Sequence, residues 1–255
     1  MEPEEWLAAI KSESEVIAST DPGALSLAVP TCPEWTVHDL IGHVGAVHRW
    51  AADRLNGTRL YRGYDGIEVP DGAAVIGWYA QGRDGLVDAL TARDADEPVS
   101  TFVGERTVAF WYRRQAHEIA VHRWDLESAT VSGHQQSIPP ELAADGIEEW
   151  FEVFAPRFIA NGPGVPADLV GRSMHLHATD IEQAGTEQIG TGEWFVDVTA
   201  DGFDWRREHA KADVALRGPA SDLLLALWHR VPPETLDIVG DTALVAPLLD
   251  LVHVT

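Results

Sequence analysis

The sequence of 255 residues contains one cysteine, Cys32, and two methionines. A lone cysteine excludes an intrachain disulfide and a thiolate metal cluster, and it fits a reducing compartment. Basic residues are also scarce. There are 18 Lys and Arg against 41 Asp and Glu, a formal net charge of −23. Nucleic acid and anionic membranes are held by clustered Lys and Arg, so neither is an expected partner. The acidic excess favours solubility instead. No run of about 18 apolar residues occurs, so no membrane-spanning helix is expected. The opening "MEPEEWLAAI" has neither a basic start nor a long apolar stretch, so it does not read as a signal peptide, and the expected location is cytoplasmic.

Hydrophobic residues make up 45% of the chain and charged residues 23%, which is globular composition. The length suits one large domain or two small ones. Ten tryptophans are present, and Trp50, Trp111, Trp124 and Trp150 sit beside charges at helical positions. Packing between helices is their expected role.

The first half reads as helices. Trp6, Leu7, Ile10, Val16 and Ile17 form a stripe of helical period over residues 2–20. "DPGALSLAVPTCPEW" breaks the pattern, and a second helix follows, capped by Thr36 with Asp39 three positions on and stopping near Gly57. Further helices are expected over 72–93, from Thr107 to about 131, and over 139–156, with a short extended piece in "DEPVSTFVGERT". Prolines and glycines crowd residues 156–166, the expected domain boundary. Beyond it the period changes to that of strands in "SMHLHAT", "EWFVDVT", "GFDWRRE", "ADVALRG" and "TLDIVG", with helices in "PASDLLLALWHRV" and "DTALVAPLLDLV". The expected fold is two-domain, α then α+β. An antiparallel four-helix bundle with an added helix spans residues 1–158, and a small mixed domain with antiparallel strands spans 166–255.

Glu118 and His122, in "RRQAHEIAVHRWDLE", are four residues apart and share one helical face. They can chelate one ion, or they can be an ordinary surface pair. A third ligand must come from another helix. Of His38, His43 and His48 on the second helix, His43 lies within the run Leu40, Ile41, Val44, Val47 and is the best inward-facing candidate. A histidine there can equally be a plain core residue. His117 faces about 100° away from Glu118 and reads as surface or as support for the site.

"VPTCPEWTVHDLIGHVGAVHRWA" followed by "HEIAVHRWDLE" resembles the mycothiol-dependent maleylpyruvate isomerase family, and the stretch from "HLHATD" to "LDIVGD" is similar to that family's smaller C-terminal domain. The resemblance covers nearly the whole chain. It implies a metal-binding bundle of the DinB-like type and a sterol-carrier-like second domain. It implies His43, Glu118 and His122 as metal ligands, and an arginine of the second domain in activity. Arg230 is the first choice and Arg217 the second, with Arg206 and Arg207 as further candidates. His175 and His177 alternate onto one strand face, expected to be exposed.

Two imidazoles and one carboxylate leave one tetrahedral position open, the pattern of a catalytic zinc site. Nickel, cobalt or iron would also suit these donors. Such a site can take an incoming thiol and remove its proton. Cys32 is expected to be a small buried hydrophobe, so the thiol must be a cosubstrate. The resemblance implies mycothiol, the sugar-linked thiol of actinobacteria, and addition to an electrophilic small molecule by an isomerase or an S-transferase. A zinc hydrolase or a non-catalytic metal-binding protein remain alternatives. Either a monomer or a homodimer is compatible with the sequence.

Overall fold

Two hairpin-to-helix junctions set the frame of the first half. The computed structural model describes residues 1–131, 133–181 and 192–252. Strands β1 (Ala28–Val29) and β2 (Cys32–Thr36) pair antiparallel, and β2 runs straight into helix α2 (Val37–Leu55). Thr36 ends the strand and caps the helix. Its side chain accepts from the Asp39 N–H, while the Asp39 carboxylate accepts from the Thr36 N–H. This reciprocal cap satisfies two of the helix's orphan donors. A second hairpin, β3 (Pro98–Thr101) paired antiparallel with β4 (Gly104–Thr107), likewise leads into a helix, α4 (Val108–Thr130), with Thr107 at the N-cap position but making no side-chain cap hydrogen bond. The sequence reading treats the first hairpin only as a break and gives one extended piece for the second. The strands are short and polar, so neither carries a clear alternating pattern.

Helix α1 (Pro3–Ala18) packs on α4, and α2 packs on α3 (Ala74–Thr91), with α2–α4 and α1–α3 contacts completing the core. The buried face of α1 is Trp6, Ile10, Glu13, Ser14 and Ile17, and Val16 of the expected stripe is exposed. Glu13 is buried because Arg123 of α4 reaches it (Nε to Oε2, 2.6 Å) together with Glu127 (2.8 Å). A buried arginine between two carboxylates ties α1 to α4. Trp111 is fully buried, whereas Trp50 and Trp124 are half-buried.

The chain divides into two compact units, Met1–Gln136 and Ser137–Thr255. The division falls earlier than the Pro/Gly-rich stretch 156–166. Helix α5 (Pro140–Glu149) belongs with the second unit because it packs on α7 (Ala220–Leu227). Its Glu148 accepts from Trp194 Nε1 (3.1 Å), and the following Trp150 and Phe151 stack on Phe203 and Trp205. A π-helical turn, Trp150–Phe154, joins α5 to α6 (Ala155–Asn161), so the helix runs through Pro156. That proline sits in the first turn of α6, where its missing N–H costs little.

The second unit contains a five-stranded sheet of β5 (Ser173–Ala178), β6 (Glu193–Thr199), β7 (Gly202–Arg206), β8 (Val214–Gly218) and β9 (Asp237–Gly240), in the order β7-β6-β5-β8-β9. The expectation of antiparallel strands holds for three of the four neighbouring pairs. β5 and β8 are parallel. The chain goes out through β6 and β7 on one side of β5 and returns to its other side through residues 207–213, so it re-enters in the same direction as β5. Helix α7 packs on β5 and β8, and the C-terminal segment forms α8 (Val245–Leu249).

Candidate functional site

The facing helices α2 and α4 bring His43, Glu118 and His122 together. His43 Nε2 lies 3.3 Å from Glu118 Oε1, and His122 Nε2 lies 3.4 Å from the same oxygen. One donor atom from each residue falls within 4.8 Å of the others. The i,i+4 pair on α4 supplies two of the three, and α2 supplies the third across the helix–helix contact.

Each group is oriented by a neighbour. Asp125, one turn beyond His122, accepts a hydrogen bond from His122 Nδ1 (3.0 Å), and its other oxygen accepts from Thr31 Oγ1 (2.6 Å). A carboxylate offers only lone pairs, so the proton sits on Nδ1 and Nε2 faces the cluster. Arg114 Nη2 holds the second oxygen of Glu118 at 3.0 Å, leaving Oε1 to the histidines. Trp35 lies tilted against His43 (centroids 4.7 Å apart) and Tyr64 meets it edge-on at 5.0 Å.

The electrostatics are those of a partly buried ion cluster, with His122 buried and His43 and Glu118 half-buried. Burial pushes the Glu118 carboxyl up, but its hydrogen bonds with His122 and His43 outweigh this and hold it well below the usual carboxylate value. Burial lowers the His122 imidazole, while its hydrogen bonds with Asp125 and Glu118 raise it, for a result of about 9.

The other histidines of α2 do not join. His38 Nε2 contacts the Pro70 carbonyl at 3.1 Å, and His48 is fully buried with no hydrogen-bond partner for either ring nitrogen among the described residues. His117 is buried too, so it is not a surface residue. Cys32 is not fully buried. It is half-exposed, with Sγ 3.8 Å from Asp125 Oδ2. Asp125, Arg114, Trp35 and Tyr64 are not singled out by the sequence pattern. Asp125 had a signal, because i+3 from a candidate ligand is where an orienting carboxylate can sit. The reach of Trp35 and Tyr64 from loop and hairpin had none.

The arginines named from sequence all lie in the second unit. Arg230 is half-buried and its Nη1 donates to the Trp228 carbonyl (2.9 Å). Arg217, exposed on β8, pairs with Asp237 at 3.3 Å. Arg206 pairs with Asp197 and Glu208, and Arg207 with Glu148. His175 is buried and not on an exposed face, because Glu193 and His209 stand against it.

Known proteins resemble this chain in sequence and in fold. Residues 6–127 match the profile described as the mycothiol maleylpyruvate isomerase N-terminal domain, and residues 141–247 match the one described as the MDMPI C-terminal domain. Two uncharacterized proteins of Mycobacterium tuberculosis, from strains CDC 1551 / Oshkosh and ATCC 25618 / H37Rv, are each 31% identical over 146 residues, covering 55% of this chain and 72% of theirs. Crystal structures of the mycothiol-dependent maleylpyruvate isomerase superpose over 93% of both chains. The TM-scores are 0.62 for a histidine-to-alanine mutant (12% identity) and 0.60 for the other structure (13% identity). The class is thus a two-domain protein with a mostly helical first part and a mixed second one. The chain belongs to the mycothiol-dependent maleylpyruvate isomerase family, a family of enzymes. No helix among the described residues is long and apolar enough to cross a membrane.

Proposed function

We propose that this chain uses mycothiol as a thiol cosubstrate and adds it to an electrophilic carbon, with cis–trans isomerisation of a maleylpyruvate-type substrate as the reaction. In this reading α1–α4 act as an antiparallel four-helix bundle of the DinB-like type, and the second unit is sterol-carrier-like. The observation that carries the proposal is the convergence of His43 Nε2, Glu118 Oε1 and His122 Nε2. Two nitrogens and one oxygen fit a divalent cation, with zinc preferred on donor type. The fit is supported from outside the cluster as well. Asp125 fixes the His122 tautomer that offers Nε2, and Arg114 occupies the Glu118 oxygen the cluster does not use.

A cation held there supplies the Lewis acidity that converts a thiol to a thiolate at neutral pH. The remaining work belongs to side chains. Glu118 stays ionised because its hydrogen bonds favour the charged form. His122 must give up the proton that Asp125 and Glu118 otherwise stabilise, so loading releases a proton below about pH 9. Trp35 and Tyr64 wall the His43 side. Arg230, with Arg217 second, is the proposed contact to the substrate's carboxylates.

The test is metal content with turnover. Purified protein should carry a divalent metal, His43→Ala should lower its metal content by the ion this cluster holds, and mycothiol-dependent isomerisation should vanish with that ion. Asp125→Asn should cost about 10–100-fold in metal affinity or activity. Product that retains the thiol would make the enzyme an S-transferase. Hydrolysis without thiol would replace the proposal with a hydrolase, and full thiol-dependent activity in His43→Ala would sink it.

A further inference from the structure

The second unit contains another cluster of metal-ligating side chains that the reaction above does not use. His175 and His177, two residues apart on β5, point to the same face of the sheet. Glu193, the first residue of β6, is the direct cross-strand partner of His177. His209 comes from the connection between β7 and β8. The three imidazoles converge on one carboxylate. His175 Nε2 is 3.5 Å from Glu193 Oε2, His177 Nε2 is 3.5 Å from Oε1, and His209 Nδ1 is 2.6 Å from Oε2.

Two features make this unlike an ordinary surface cluster. Glu193 is buried at 5% exposure, and among the described residues the ionisable groups paired with it are the three histidines. His175 is equally buried at 5%, and its Nε2, aimed at Glu193, makes no hydrogen bond among the described residues. A buried ring nitrogen left without a partner is costly unless something else takes its lone pair.

We infer that His175, Glu193 and His209 form a second divalent transition-metal site, with His177 as the fourth donor. One donor atom from each of the first three lies within 4.8 Å of the others. Ligands about 2.0–2.1 Å from a tetrahedral zinc stand about 3.3 Å apart. The 3.5 Å separation of His175 from Glu193 Oε2 already matches this, the His209–Oε2 hydrogen bond must lengthen, and His177 stands 3.5 Å from the other oxygen, Oε1. Four protein donors fill a tetrahedral shell, so this site is closed. Its role is to clip β5, β6 and the 207–213 connection together, and not to bind substrate.

The test uses the full metal-free chain carrying His43→Ala, so that the first cluster is disabled. Titration with CoCl₂ should give the visible absorption of a tetrahedral ion, displaced by ZnCl₂, and ZnCl₂ should raise the melting temperature. Adding His209→Ala should weaken uptake at least about tenfold, and adding His175→Ala as well should abolish both signals. His209 has a largely exposed side chain, so that single variant keeps the fold intact. Absence of cobalt or zinc uptake in the His43→Ala chain would overturn the inference. Uptake left undiminished by His209→Ala and by the double change would do the same.

Discussion

His48 and His122 are both buried within the first unit, yet burial sets only one of them. His48 has no partner for either nitrogen among the described residues, and burial drives it down to about 3, so it stays neutral. His122 is also penalised by burial, but Asp125 and Glu118 carry it up to about 9, so in the metal-free chain it is charged. The consequences for stability have opposite signs. The folded-state value of His48 lies below its unfolded one of 6.5, so its contribution is present above pH 6.5 and is lost as pH falls toward 3. The value for His122 lies above 6.5, so its contribution is complete below pH 6.5 and is lost as pH rises through about 9. Each group gives a slope of up to about 1.4 kcal/mol per pH unit in its own window. Denaturant unfolding of the metal-free protein should therefore be most stable near neutrality. His48→Leu should make the acid limb shallower while leaving the alkaline limb in place. An unchanged acid limb would contradict the burial argument.

At the scale of elements, the α2–α3 contact depends on two glycines. A Cβ on Gly45 would lie 2.4 Å from the Trp78 ring, and one on Gly82 would lie 2.2 Å from the Arg49 guanidinium. These absences let Arg49 lie over the Trp78 ring at 3.7 Å and donate to the Trp78 carbonyl (2.6 Å). Gly45→Ala must move a packed aromatic ring and should destabilise by about 1–3 kcal/mol. Gly77, also on α3, faces open space. Gly77→Ala should instead stabilise, by up to about 1 kcal/mol, through helix propensity. Opposite shifts in the urea midpoint for the two alanines are the expected result, and two equal shifts would remove close packing as the cause.

For the molecule as a whole, charge is the dominant feature. A net −23 repels itself in the compact state. Ion pairs offset part of this, among them the buried Arg123 with Glu13 and Glu127, but 18 basic residues cannot match 41 acidic ones. Raising ionic strength from about 0.01 to 0.15 M shortens the screening length from about 30 to 8 Å and weakens the excess repulsion. The melting temperature should rise over that range. A fall would mean that the attractive pairs outweigh the repulsion.

Whatever repeats along a local period was legible from the order of residues alone. That includes the helical first half, the cap at Thr36, the strand-rich second half, and the Glu118–His122 pair on one face, since each of these depends on residues within a turn or two. Tertiary structure decided what depends on distant partners. It brought His43 to that pair across the α2–α4 contact and placed Thr31 and Asp125 behind His122. It assigned α5 to the second unit through Trp194, Phe203 and Trp205. It set β8 parallel to β5, and it turned a pair of strand histidines inward onto Glu193. A strand's alternation tells which residues share a face, but not which face another segment of the chain will cover.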